Sequence, residues 1–545
     1  MNPFVEHLPI LPVLLPAATA IVLLILGDHG GDAHGGHGHA RLQWARRIAL
    51  ASAVLGLVIA ARLVVEAAGG EIRAYRVGDW PAPFGIVVVI DRLGAMMVLL
   101  TALVALPVLA YASGGWDAHG RYFHAIFQFQ LMGLNGAFVT GDLFNLFVFF
   151  EVLLIASYVL MVHGQGRERF RVGVHYVVLN LTASALFLIG VALIYAKAGT
   201  LNLADLALRV PEVTAPESVV LQTAALLLLV VFGFKAALLP LSMWLPATYA
   251  TTSPPVAAMF AIMTKVGVYA IWRVHGVVFG PDAGDAALTA EPVLLPLALA
   301  SSVVGVLGAL AARTMERLIA WLTVASVGTI LAALGLYTDA AWSAAMFYLA
   351  NSTVVIAGLF LLTELVAAQR GDAADRLVPA SPVAQPALLG FMLLLAAASV
   401  AGLPPLPGFI GKLMILEAAS AHPSQLLVWS VVLVVGFFTL IGLARAGSIL
   451  FWHVRDDQPS GGASGASTQL VGATMLLLGA AVAMSVFAAP IQRYTSAAAA
   501  QLGDRAAYAR AVLGERGVDI DTTRPYRGTG DAAPAPRGTA GEAQR

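Results

Sequence analysis

Long apolar runs, interrupted at short intervals by polar clusters, set the pattern of this chain. A helix needs ~20 mostly apolar residues to cross ~30 Å of hydrocarbon. Fourteen spans are predicted, beginning near residues 8, 47, 86, 122, 143, 172, 219, 254, 293, 316, 341, 386, 427 and 468. The first reads as a span, being too long and lacking the A-x-A exit of a cleaved signal peptide. Polar insertions between spans are short, the longest being Asp28–Arg41, Leu201–Ser218 and Arg370–Gln385. After Ile491 the residues turn to Ala, Gly, Pro, Arg and Asp, which predicts a disordered tail over 492–545. The expected fold class is an all-α polytopic membrane protein.

Composition removes several functional classes. At 59% hydrophobic and 11% charged, the 545 residues depart from the ~25% charged content of soluble domains. Thirty-one basic residues balance thirty-one acidic ones, which argues against a nucleic-acid partner. Cysteine is absent, so disulfides, iron–sulfur clusters and thiolate metal sites are excluded. No loop is long enough to fold into a domain that would act on a soluble substrate. Gly408-Phe-Ile-Gly-Lys412 has the wrong spacing for a phosphate-cradling loop and no Ser or Thr after the Lys. No catalytic residue, cofactor or metal is therefore expected.

Basic residues in short loops orient a membrane protein. Arg41, Arg46, Arg47, Arg121, Arg167, Arg169, Arg171, Arg313, Arg317, Arg370, Arg376, Arg445 and Arg455 fall on one side, thirteen in all. Arg73, Arg76, Lys197, Arg209 and Arg273, five, fall on the other. The richer side is expected to face the cytoplasm, with both termini outside.

Four charges lie where hydrocarbon should forbid them. Of the basic residues 27 are Arg and only four are Lys, yet three of those lysines, Lys235, Lys265 and Lys412, sit inside apolar spans. Glu151 sits likewise in LFNLFVFFEVLLIASYVL. Each costs ~2.5–3.5 kcal/mol on insertion scales, so such residues mark function. Glu151 lies nine residues past Asp142 and Lys265 eleven past Pro254, about 13 and 16 Å deep at ~1.5 Å per residue. Arg stays protonated, whereas a desolvated Lys can release its proton. The alternative, ion pairs that only hold helices together, runs short of partners at one Glu against three Lys. Two of the lysines adjoin proline-rich breaks, Leu239–Pro246 and Gly402–Gly408, with Pro240, Pro246, Pro404, Pro405 and Pro407 as the breaking residues. Broken spans survive in a bilayer only where they line protein or water. A pair of them five spans apart points to an inverted-repeat transporter with its ion path at the midplane.

These strings resemble a known family. Phe147-Val-Phe-Phe-Glu151, Phe234-Lys235 through Trp244-Leu-Pro246, Met263-Thr-Lys265-Val-Gly-Val-Tyr and Gly402-Leu-Pro-Pro through Lys412 look like the antiporter-like subunits. That superfamily comprises the proton-pumping membrane subunits of respiratory complex I and the large subunits of Mrp/Pha-type cation/proton antiporters. The likeness spans roughly residues 80–490, and Gly78–Gly85, Gly141–Phe147 and Thr200–Leu206 look most like the D subunit of the Mrp/Pha complexes. The resemblance implies about fourteen helices with two inverted five-helix repeats, helices 4–8 and 9–13. That division places three helices over 1–120, the repeats over 121–280 and 281–455, and a last helix over 456–491. It further implies a proton relay of Glu151 with Lys235, then Lys265, then Lys412. Ser242, Ser326 and Asn351 stand where relatives often carry His, so any relay here uses Lys, Glu, hydroxyls and water. The implied partners are the other membrane subunits of a hetero-oligomeric antiporter, protons, Na⁺ or K⁺, and the lipid of a bacterial inner membrane. The alternative is a proton-pumping subunit of complex I or a related redox-driven complex.

Other features read more plainly. His29, His34, His37 and His39 lie among glycines and are taken as a solvated loop in preference to a metal site. Asp91, Arg92 and Asp142 sit at span ends and read as interfacial, while Glu364 and Glu417 read as structural or subunit contacts. Asn180-Leu-Thr182 and Asn351-Ser-Thr353 match a glycosylation pattern but fall inside spans.

Overall fold

The computed structural model describes residues 6–27, 36–80, 82–454 and 465–514. Of the His-rich loop, His29 and His34 and the side chain of His37 lie outside the described residues, as does the tail beyond 514. The described residues are almost wholly helical.

Three helices open the chain: α1 (Leu11–Leu26), α2 (Gly36–Ala68) and α3 (Arg92–Ala112). The first five-helix set follows as α4 (Phe123–Val139), α5 (Leu143–Met161), α6 (Arg167–Ala198), the broken pair α8 (Ser218–Ala236) and α9 (Trp244–Thr251), and α10 (Pro254–Ile271). A short α7 (Leu203–Arg209) lies in the loop before the broken pair. The second set is α11 (Glu291–Ala311), α12 (Met315–Leu334), α13 (Asp339–Ala367), the broken pair α14 (Pro386–Ala401) and α15 (Pro407–Ala419), and α16 (Gln425–Phe451). In both sets the fourth member is the broken one. Successive spans alternate in direction, so an offset of five inserts the second set upside down relative to the first. Among the described residues twelve helical segments, the first broken pair counted as one, are long and apolar enough to span a membrane. The polar α4 and the broken α14–α15 complete the expected fourteen, the last being α17 (Thr468–Val486).

Local chemistry fixes the ends. Asp91 caps α3 by accepting from Gly94 N at 2.8 Å, and Asp142 caps α5 by accepting from Asn145 N at 2.9 Å. Such a side chain satisfies a donor the helix cannot. The third span thus begins at Arg92, not near residue 86. The run Val87–Ile90 forms strand β2, paired antiparallel with β1 (Arg73–Arg76), because consecutive β-branched side chains suit a pleated ribbon. The second and sixth helices begin earlier than expected, at Gly36 and Arg167.

Sequence composition misreads the segment after Ile491. Residues 488–503 form α18 and 505–513 form α19, where a disordered tail was expected. Ala-rich sequence is a strong helix former, and these helices find a surface to cover. Thr495, Ala498, Ala499, Tyr508 and Val512 are buried, and Gln501 bonds Arg92 N and Gly70 O.

The described members of the two charge sets occupy opposite ends. Arg46 meets Asp117 at 2.6 Å, Arg169 donates to His163 O and Thr251 O, and Arg445 donates to Ala312 O. These cross-links tie together the loops of the thirteen-residue side. At the other end β1–β2, α7, α18 and α19 form a cap. Between them α10 is the core: every residue from Pro254 to Ile271 is buried. Gly267 lets α10 touch α8, since a Cβ there would stand 2.5 Å from Ala236 N. That contact brings the helices of Lys235 and Lys265 together.

Candidate functional site: a buried line of ionisable groups

Each of the three lysines within spans is buried. Lys235 and Lys412 are 9% exposed and Lys265 is fully buried. None has a carboxylate within 4 Å, since the ion pairs among the described residues all lie elsewhere. Structural ion pairing therefore does not account for them.

The first pair is spaced by polar groups of α6. Glu151, on α5, accepts a very short hydrogen bond from Ser184 Oγ. Lys235, on α8, donates to Asn180 Oδ1 at 2.8 Å. Ser184 and Asn180 are one turn apart on α6, so they share a face. Glu151 and Lys235 are thus neighbours through α6 and not a direct ion pair in this conformation. In the sequence Asn180 stood out only through the glycosylation pattern and Ser184 not at all. A buried amide inside an apolar span was the available signal, because its desolvation requires a partner.

The breaks are satisfied differently. In the first, Trp244 Nε1 donates to Phe234 O at 2.9 Å and Leu239 N donates to Ser301 Oγ at 2.9 Å. In the second, Lys412 itself fills the gap, donating to Val400 O at 3.1 Å and Ala401 O at 2.7 Å at the end of α14. A cation at the C-terminal carbonyls of a half-helix is favourably placed. Pro240 lies in the first break, and Pro404 and Pro405 lie in the second. Pro246 and Pro407 do not break a helix. They occupy the first turns of α9 and α15, where the missing N–H costs nothing.

Gly408 sets the fit of the second break. A Cβ there would fall 1.7 Å from Ser399 O and 3.2 Å from Asn351 Nδ2. Ser399 Oγ donates to Asn351 Oδ1 at 2.9 Å, so Asn351 of α13 joins this break. Helix α13 packs on both α10 and α15, which puts it between Lys265 and Lys412. Lys265 Nζ reaches only Thr264 Oγ1, at 3.3 Å. Ser326 donates to Thr323 O at 2.9 Å, and Ser242 Oγ is buried in the first break without a protein partner.

At the end that gathers the larger set of arginines Asp117 is fully buried, bound by Arg46 at 2.6 and 2.8 Å and by His124 Nε2 at 2.9 Å. Burial would raise its carboxyl, but the hydrogen bonds and charges of Arg46 and His124 hold it below its ordinary range. A cleft of about 890 Å³ lies beside it, lined by Arg167, Arg169, Glu316, Asp375 and Thr251 among others. Glu364 faces a second cavity of about 290 Å³, whereas Glu417 is exposed. Asp91, at the start of α3, is 2% exposed and pairs with Arg273.

Comparison with known proteins agrees with this arrangement. Residues 140–439, which contain all four charges, match the family model for the transmembrane region of NADH:quinone oxidoreductase and Mrp antiporters. A protein of Rhizobium meliloti, named as the probable D subunit of a K(+)/H(+) antiporter, is 39% identical, over 92% of this chain and 96% of its own length. The chain belongs to the D-subunit family of cation/proton antiporters. The Na(+)/H(+) antiporter D subunit of Alkalihalophilus pseudofirmus is 35% identical, over 94% of this chain and all of its own. Among solved structures, a chain of the Mrp complex from Dietzia sp. DQ12-45-1b superposes with a TM-score of 0.83 at 28% identity, covering 94% of this chain and all of that one. A chain of respiratory complex I from Thermus thermophilus shares the fold, with a TM-score of 0.73 at 23% identity over 91% and 100% of the two chains. Family membership and the multi-pass architecture expected from sequence are thereby established.

Proposed function

We propose that this chain is the subunit of a bacterial inner-membrane Na⁺/H⁺ or K⁺/H⁺ antiporter that moves protons, acting with other membrane subunits and not as an enzyme. The observation that carries the reading is the set of three desolvated lysines without carboxylate partners, two of them beside broken helices. A neutral amine accepts a proton from water and returns it to water with no change in any other bond. Glu151, when closer to Lys235 than in this conformation, favours the charged amine; when it retreats, the proton is released. Asn180 and Ser184 hold the two groups apart in the relaxed arrangement. Lys265 and Lys412 take the role of successive relay sites, with hydroxyls of α12 and α13 between them. The repeats over 121–280 and 281–455 are the two halves of this path.

The redox-driven alternative shares the fold and differs in what supplies the energy. The relatives with the higher identities are antiporter subunits, which favours exchange driven by a cation gradient. The test uses everted vesicles carrying all partner subunits. Lys235→Ala and Glu151→Ala should each abolish Na⁺- or K⁺-dependent collapse of ΔpH at unchanged abundance. Normal exchange in either variant refutes the reading.

A further inference from the structure

The outer end of α10 carries polar groups that the relay does not use. The helix continues past Ile271 as a π-helical segment, Trp272–Val278, a distortion often found at functional sites. Trp272 and His275 are fully buried and Arg273 is 3% exposed. Trp272 Nε1, Arg273 Nη1 and both ring nitrogens of His275 find no protein partner. Asp205 Oδ2 on α7 shares this state. The segment packs against α7 and α18, while the Tyr508 ring of α19 lies 5.9 Å from the Arg273 guanidinium. Buried polar groups are rarely left unpaired, and water is the remaining partner for a cluster of this kind.

The cluster reaches inward to within one turn of Lys265. Tyr269 is one turn outward from Lys265 on the same face of α10, about 6 Å along the axis. Its hydroxyl donates to Phe138 O at 2.7 Å and accepts from Arg273 Nε at 2.9 Å. Arg273 Nη2 in turn donates to Asp91 Oδ1 at 2.5 Å. A polar line therefore runs from one turn beyond the fully buried amine to the cap, with one permanently charged guanidinium across it. A fixed cation repels a proton, and Arg does not surrender its own.

We infer that the hydrated outer end of α10 is a second access to Lys265, and that Arg273, held by Asp91 and Tyr269 beneath the C-terminal helices, is the electrostatic barrier that closes it to protons. Hydronium at the outer side gives its proton through water to the lone pair of neutral Lys265, leaving water behind. Arg273 is a positioning and barrier residue and touches no reacting atom. This inference rests on Lys265 being a relay site.

The test measures proton leak in vesicles carrying the whole complex, with no Na⁺ or K⁺ present. Arg273→Gln should raise the leak by at least about tenfold, the lower end of what a single-sign field does to ion access. Arg273→Lys, which keeps the charge, should remain tight. The leak should vanish when Lys265→Ala is added, which a loosened or misassembled protein would not show. A tight Arg273→Gln protein, or a leak indifferent to Lys265, overturns the outer access while leaving the relay standing. Normal exchange in Lys235→Ala would instead remove the relay. Should Arg273→Gln fail to accumulate, Tyr269→Phe decides: it removes one anchor of the guanidinium and should raise the cation-independent leak by about fivefold, the equivalent of one hydrogen bond. A Tyr269→Phe protein as tight as the parent overturns the inference.

Discussion

Gly408→Ala tests the geometry of the second break most directly. The added methyl would stand 1.7 Å from Ser399 O, where ordinary contact begins at 3.4 Å. The two half-helices must therefore part by about 1.7 Å, and backbone cannot yield as a flexible side chain does. Lys412 Nζ bridges the same halves, so its bonds of 2.7 and 3.1 Å to Ala401 O and Val400 O would stretch beyond hydrogen-bonding range. Overpacking costs ~1–3 kcal/mol, and the lost charged hydrogen bonds ~1.5–3 kcal/mol. That is tolerable for a large bundle but not for a relay, where a misplacement of ~1 Å can cost ~10²-fold in rate. Exchange should fall by about that factor while the protein still assembles. The assay is cation-dependent dissipation of ΔpH in everted vesicles with all partners, normalised to the amount of this chain. Gly472→Ala, whose added methyl meets nothing within 4 Å, is the control. Exchange in Gly408→Ala within about twofold of the control, below the cost of one hydrogen bond, would show that Lys412 does not act from this break.

Other outcomes follow from the same contacts. Asn180→Leu removes the acceptor of Lys235 and should reduce exchange by about tenfold, as expected for a hydrogen bond to a charged group; Thr182→Ala, on the exposed side of the same turn, should leave it unchanged. Asp117→Asn breaks a buried pair and should destabilise the inner end by ~3–5 kcal/mol, read as a lower melting temperature of the assembled complex. The carboxyl of Asp117 is held below its ordinary value, so its stabilisation is complete above that value, ~3.9, and is lost as pH falls through the lower folded-state value. The variant should accordingly lose less stability than the parent across that acid range. Gln501→Ala removes the bonds from α18 to Arg92 N and Gly70 O and should make the C-terminal segment more open to protease.

Much of the architecture was legible in the chain because a bilayer leaves few options. Spans must be helical and apolar, so their number, the two breaks and the four intramembrane charges could be read without coordinates. Arg in the loops and Lys in the spans separated the two ends from the two halves of the path. What composition could not decide was partnership. Asn180 and Ser184 became neighbours of Lys235 and Glu151 only when α6 packed between them. Pro246 and Pro407 looked like breaking residues and proved to be helix starts, because proline's effect depends on its position within a turn.

The sequence alone determined that ionisable amines lie deep in hydrocarbon, since spacing along a span fixes depth. Tertiary structure decided which groups those amines meet, and that residues 488–513 fold over the outer end instead of trailing free. Depth is a property of one helix, but a hydrogen bond across helices depends on how they rotate and pack. That is why Asp91, apparently a residue at the water boundary, ends as the buried partner of an arginine 182 positions away.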